Sequence, residues 1–283
     1  MIYPNAQSWL SAAHRRVALF GMSGMGKTTV SDMLRGSGHW FHYSVDYRIG
    51  TRYMGEHIVD NFKREAMKVP FLRDLLLRDS IYIASNLSFE NLSPLSTYLG
   101  KPGDPAKGGI PFAEYRRRQA EHREAEIAAL LDTSLFIDKA RAIYRYPHFV
   151  CDTGGSICEV VEPGDKGDKV LSLLSSKLLL VWIKGTEADR AELARRFDAD
   201  PKPMYYRPDE LEANRGAYLA ETGLREEQVD PDDFIRWSFR RLLVARQARY
   251  EAMSAWGITV TATEMAEATS EGAFTELVAS KLP

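Results

Sequence analysis

Gly21-Met22-Ser23-Gly24-Met25-Gly26-Lys27-Thr28 is the stretch of this chain whose residue types and spacing most constrain chemistry. It fits G-x-x-x-x-G-K-[ST] without a mismatch, a pattern whose glycines let successive backbone N–H groups turn inward around phosphate oxygens. A lysine in that position reaches the β- and γ-phosphates, and the following hydroxyl ligates Mg²⁺. Gly21 to Thr28, with Thr29 beside them, are therefore the expected contacts to a nucleoside triphosphate, and Lys27 is expected to act in catalysis. Thr28 is expected on the metal.

Such a loop works only between a strand and a helix, because the helix N-terminus adds its own field to the anion site. Both flanks are present. Arg16-Val17-Ala18-Leu19-Phe20 is a short apolar run stopped by Gly21, and a helix is expected from about Lys27 to Leu34, ended by Gly36 and Gly38. His39 to Val45 reads as a second strand with Asp46 just beyond it. His148 to Cys151 and Lys177 to Ile183 read as further strands, apolar on both faces as a parallel sheet under helices requires. A helix near Glu187 to Phe197, a proline-broken loop at Asp200 to Pro208, a long helix near Pro231 to Ala255, a strand at Gly257 to Val260 and a terminal helix follow. Between Thr51 and Pro147 the pattern is helical, broken by the loop Gly100 to Pro111. The expected organisation is a nucleotide-binding core of residues 1–50 and 148–283, with 51–147 as a helical insertion covering the substrate side.

Charge and composition narrow the function classes. With 37 basic against 39 acidic residues, a net charge of −2 gives no global attraction to nucleic acid or to an anionic membrane. No apolar window approaches the roughly 20 residues needed to span a bilayer. Two cysteines, Cys151 and Cys158, fit a reducing cytoplasm and cannot alone make a structural zinc site. Arg116-Arg117-Arg118 shares its helix with Glu114, Glu121, Glu124 and Glu126, which reads as a solvated charged face.

With the loop in place, the chain resembles the shikimate kinases and their relatives among P-loop small-molecule kinases, over most of the α/β core but not the insertion. That resemblance implies an α/β fold of the three-layer P-loop NTPase type, a parallel sheet with a helical insertion. In the family the second strand ends in D-x-D-x-x-I; here the stretch is Ser44-Val45-Asp46-Tyr47-Arg48-Ile49. Asp46 fills the substrate position, and a carboxylate there orients a hydroxyl and accepts its proton. Ser44 replaces the acid that helps to hold magnesium, and Asp152, ending another strand, is the natural substitute. Asp152-Thr153-Gly154-Gly155 partly matches the family's glycine triplet, so Gly154 and Gly155 are expected against substrate. Arg246 and Tyr250 match an R-x-x-x-Y segment whose arginine binds a substrate carboxylate. Asp200-Pro201-Lys202-Pro203-Met204 lies where the family carries a flexible lid; Lys202 is its expected catalytic cation, with Arg195 and Arg196 as alternatives.

The expected activity is transfer of the γ-phosphoryl group of ATP, with Mg²⁺, to a hydroxyl of a small anionic metabolite in the cytoplasm. The length of the insertion and the serine at position 44 argue against shikimate itself. Two other readings stay open: an ATPase or nucleotide-dependent switch without a small-molecule acceptor, and a kinase of RNA ends.

Overall fold

Five short segments, most of them continuously apolar, pair into one all-parallel sheet in the computed structural model, which describes residues 1–283. They are β1 (Arg16–Phe20), β2 (Trp40–Ser44), β3 (His148–Asp152), β4 (Leu179–Lys184) and β5 (Ile258–Thr261), in the order β2-β3-β1-β4-β5. Parallel neighbours cannot be joined by tight turns, so every connection carries helix. The chain leaves β1 toward one edge, returns through β3 to β1's side, and then crosses to β4 and β5. That reversal makes β1 the switch point, beyond whose carboxyl end open α/β sheets bind ligands. β4 shows the burial this demands: Leu179 to Ile183 are all buried and only Lys184 is half-exposed.

The helices start where their caps dictate. The helix Lys27–Gly36 follows β1 after Gly26, which takes the left-handed conformation at φ 85°. The helix expected near 187–197 runs Glu187–Ala199, opened by a capping box in which Thr186 and Asp189 satisfy each other's backbone N–H. Thr261 and Glu264 do the same after β5. No helix of the chain is long and apolar enough to cross a membrane.

By their contacts the residues divide into two compact units. One comprises Met1–Val45, Glu126–Asp200 and Ser238–Pro283 and contains the whole sheet; the other comprises Asp46–Ala125 and Pro201–Trp237. Residues 126–147, within the stretch assigned to the insertion by sequence pattern, thus pack with the sheet. The Tyr43 hydroxyl donates to the Ala129 carbonyl at 2.6 Å. Conversely, residues 201–237 join the helical unit, where the Gly100–Pro111 loop is knitted to the 229–232 segment. Asp104 N–H donates to the Val229 carbonyl at 2.8 Å, and Lys101 meets Asp232 at 2.6 Å.

The helix carrying the three arginines runs Phe112–Leu131. Arg117 lies on its surface against Glu114 and Glu121, and Arg116 pairs with Glu212 at 3.0 Å. Arg118 departs from the expected solvated face. It is buried, donating from Nη2 to Asn61 Oδ1 at 2.9 Å and from Nε to Glu114 at 2.7 Å, with its guanidinium 4.9 Å from the Tyr98 ring centroid. Three consecutive positions turn through about 200° on a helix, so a run of like residues cannot all share one face. Glu126 is likewise fully buried, accepting the Ser156 hydroxyl at 2.8 Å.

Cys151 in β3 and Cys158, in a short helix Ile157–Val160, are free and buried. Burial, chiefly, pushes the Cys158 thiol up to about 12 from an ordinary 9.0. The Tyr98 phenol is pushed from 10.0 to about 12 by burial and then by its hydrogen bond to Glu121. Both folded values lie above the unfolded ones, so the folded chain binds these protons more tightly. Their contribution to stability is complete below about pH 9 and is lost as the pH rises toward 12. Melting temperature should therefore hold to about pH 9 and fall steadily above it. In a thiol-labelling assay at pH 7 the native chain should react orders of magnitude more slowly than the denaturant-unfolded one; equal rates would show an exposed thiol.

Candidate functional site

The loop after β1 is held by contacts that only its own residue types permit. Gly21 has φ 144°, and a Cβ there would lie 2.6 Å from the Ile183 carbonyl oxygen of β4, so the close approach of loop and strand requires glycine. Lys27 is buried and folds back into the loop, its ammonium donating to the carbonyls of Gly21 at 2.7 Å and Met22 at 2.9 Å. A positive charge thereby sits within the turn at the start of a ten-residue helix, whose N-terminus adds its own field.

Register then brings the acid. Leu19 of β1 pairs with Asp152 of β3, and Asp152 pairs with Ser44 of β2. The position that lacks a carboxylate on β2 is thus level with one on the next strand. Asp152 is buried and accepts the Thr28 hydroxyl at 2.7 Å through Oδ2 and the Gly154 N–H at 3.1 Å through Oδ1. The two residues expected at magnesium are therefore in direct contact. Nowhere do three or more His, Cys, Asp or Glu side chains gather around a point. One carboxylate and one hydroxyl suit Mg²⁺, which takes few protein ligands beside phosphate oxygens and water. Beneath them in β2, burial holds the His42 imidazole below its ordinary value, against the opposing pull of the Asp152 and Asp32 carboxylates.

The glycine turn after β3 meets the loop itself. A Cβ on Gly155 would stand 2.3 Å from Ser23 Oγ and 3.4 Å from Ser23 N. Its carbonyl accepts from Arg246 Nη1 at 2.9 Å and from the Tyr250 hydroxyl at 3.0 Å. Arg246, expected at a substrate carboxylate, is itself buried, with Nε 2.8 Å from Glu159 Oε1. The Glu159 carboxylate holds its guanidinium above the ordinary value, against the lowering effect of burial.

Two further features carried no sequence motif. A cavity of about 690 Å³ opens beside the loop, lined by Gly24, Met25, Gly26, Thr29, Val30, Met33, Asp189, Thr263, Met265 and Thr269 together with alanines of the helix after β5. Thr29 is among the lining residues. The residues come from distant parts of the sequence and most are ordinary core types, so no spacing announces them. Arg196, an alternative lid cation by sequence, has Nη2 3.2 Å from where a Cβ of Gly24 would be. Its only ion-pair partner is Glu192, at 3.6 Å.

Asp46 and Lys202 belong to the other unit. Asp46 is half-buried in a helical turn, Val45–Arg48, that continues into a π-helical turn, Ile49–Tyr53; π-turns often mark functional sites. Lys202 is exposed. The loop expected as a flexible lid is tied down just beyond it, where the Met204 carbonyl accepts from Tyr115 and Gln119 at 3.0 Å each. The Tyr206 N–H donates to Gln119 at 2.9 Å. Comparison with protein-family models gave no match, and a search of curated proteins found none similar in sequence.

The packing of Gly155 on Ser23 predicts a paired response. Gly155→Ala should cost about 1–3 kcal/mol by overpacking, read from the denaturant midpoint, and adding Ser23→Ala should restore most of it by removing Oγ. A double variant no more stable than Gly155→Ala alone would show that the Ser23 hydroxyl is not the group in the way.

Proposed function

We propose that the chain is a magnesium-dependent P-loop enzyme of three-layer α/β type that transfers the γ-phosphoryl group of ATP to a hydroxyl of a small molecule. The observation that carries this reading is the contact of Thr28 with Asp152 at the end of a loop of the G-x-x-x-x-G-K-[ST] type. Thr28 and Asp152 would hold Mg²⁺, which supplies charge neutralisation to the phosphates. Lys27 stabilises the β- and γ-phosphate oxygens from within the loop, and Arg196, beside Gly24, is the cation available to the transferring group from the same unit. The cavity between the loop and the segment after β5 has the size and the apolar, methionine-rich lining of a nucleobase site. In the transfer, the acceptor oxygen bonds to the γ-phosphorus as the bond to the β,γ-bridging oxygen breaks. ADP leaves and the hydroxyl proton passes to the proposed base, Asp46. Lys202 keeps its proposed lid role on the strength of the family resemblance alone. With Arg246 engaged by Glu159 and Gly155, an anionic character of the acceptor rests on no residue of the chain, and the acceptor class is best stated as a small hydroxylated molecule.

One observation favours a second reading. The residue that resembles a substrate anchor is turned inward, as it would be in an ATPase or nucleotide switch with no small-molecule acceptor. A kinase of RNA ends finds no such support, given the near-neutral charge.

Mg-ADP at about 100 times its Kd should stabilise the protein by about 2.7 kcal/mol, and Lys27→Ala should abolish most of the shift. An unchanged melting temperature of the parent protein in saturating Mg-ADP or Mg-ATP would remove the basis of the nucleotide reading. Asp152→Asn should raise the magnesium needed for half-maximal ATP consumption while preserving the fold; an unaltered magnesium dependence would return Asp152 to a structural role. ATP consumption screened against pooled hydroxylated metabolites separates the kinase, whose turnover an acceptor stimulates, from the switch, whose turnover none does. Asp46→Asn should lower acceptor-stimulated turnover by about 10²-fold or more and leave Mg-ADP binding intact.

A further inference from the structure

We propose that Arg246 and Tyr250 are positioning residues for the glycine-rich loop, acting through the carbonyl of Gly155, rather than contacts to an acceptor. This rests on the nucleotide-binding reading of that loop. The geometry is specific. The long helix Pro231–Met253 directs two donors at one oxygen, Arg246 Nη1 at 2.9 Å and the Tyr250 hydroxyl at 3.0 Å, which occupies both lone pairs of the Gly155 carbonyl and fixes its direction. Arg249, between them, donates to the carbonyls of Cys158 and Val161, so the same helix grips the segment over several residues.

What is gripped touches the site at both ends. Gly155 lies against Ser23 of the loop, closely enough that a single added carbon would collide with its hydroxyl. One residue earlier, the Gly154 N–H donates to Asp152, whose other oxygen holds Thr28. The turn from Asp152 to Gly155 therefore sets the carboxylate proposed for magnesium and the backing of the loop together, and its far end is set by Arg246 and Tyr250. All of these residues belong to one unit.

The buried pair behind this clamp has an energetic signature that suits positioning better than stability. Glu159 is fully buried, and one of its oxygens, Oε2, finds no hydrogen-bond partner. A buried ion pair contributes little net stability, because desolvation offsets its attraction, and well-packed apolar residues often serve the fold as well. What apolar residues cannot do is point a donor at the Gly155 carbonyl. Tyr250 is equally suited, since burial raises its phenol well above the ordinary value and keeps the proton it donates.

The test uses the full chain and two kinds of variant. Tyr250→Phe removes one donor and keeps the ring. Arg246→Met combined with Glu159→Met removes the other donor without leaving an unpaired buried charge. Circular dichroism establishes that each is folded. Calorimetry then gives Mg-ADP affinity, and a magnesium titration of ATP consumption gives the metal requirement. Tyr250→Phe should weaken Mg-ADP about 3- to 10-fold, the scale of one hydrogen bond. The double variant should weaken it about 10- to 100-fold, the range found when groups orienting a metal's ligands are lost; both should need more magnesium. Folded variants that melt lower but bind Mg-ADP and magnesium like the parent would make the clamp merely structural and overturn the proposal. So would variants that change only the KM for an acceptor, which would restore Arg246 to the acceptor. A parent protein that itself fails to bind Mg-ADP would sink the nucleotide reading and this inference with it, an outcome distinct from the other two.

Discussion

The parallel pairing of β1 with β3 is the constraint from which the rest of the candidate site follows. Leu19 lies opposite Asp152, so the loop that begins two residues after Leu19 and the acid that ends β3 leave the sheet side by side. The 2.7 Å contact between Thr28 and Asp152 is the direct result. A slip of one residue in this register would turn Asp152 to the other face of the sheet, because side chains alternate along a strand. The apolar burial of β1, β3 and β4 is thus what places a hydroxyl and a carboxylate within bonding distance, and the capping box at Thr186 opens the first helix of the crossing from β4 to β5.

Much of this was legible in the sequence because the signals were local. Gly21 to Thr28 carries its chemistry in its own spacing, and the strands at 16, 148 and 179 stand out as apolar runs bounded by glycine or charge. Asp152 could be singled out because it ends such a run, and it lies level with Ser44 across the β2–β3 pair. The helix Pro208–Thr222 lies outside the elements expected from the sequence, although Pro208 at its first turn, Asp209 and Glu210 beside it and Gly223 at its end are the usual signals.

What could not be read depended on partners distant in sequence. The R-x-x-x-Y spacing of Arg246 and Tyr250 says that they share a helix face, but not that the face points at Gly155 and Glu159. A buried arginine and a substrate-binding arginine have the same letter. The same ambiguity hid Arg118, whose two preceding residues lie on the surface, and Arg196, whose reach to Gly24 depends on how its helix lies along the loop. The extent of the helical unit was hidden for a related reason: Asp104 to Val229 and Lys101 to Asp232 are contacts between residues far apart in the chain, the second pair separated by 131 positions, and no periodicity reports them.

The strand order also has a consequence for how the protein is made. β1 is made before the other four strands and stays without a neighbour until β3 follows, from Phe20 to His148, because both strands that flank it come later in the chain. At ribosomal rates of roughly 5–20 residues per second the wait is on the order of ten seconds. Throughout it Val17, Ala18, Leu19 and Phe20 form an exposed apolar edge on a nascent chain, the kind of segment that associates with other chains or recruits a chaperone. The early helices, whose contacts are local, can form in that interval. The central strand is thus the first of the five to be made and has a neighbour on neither side until β3 arrives.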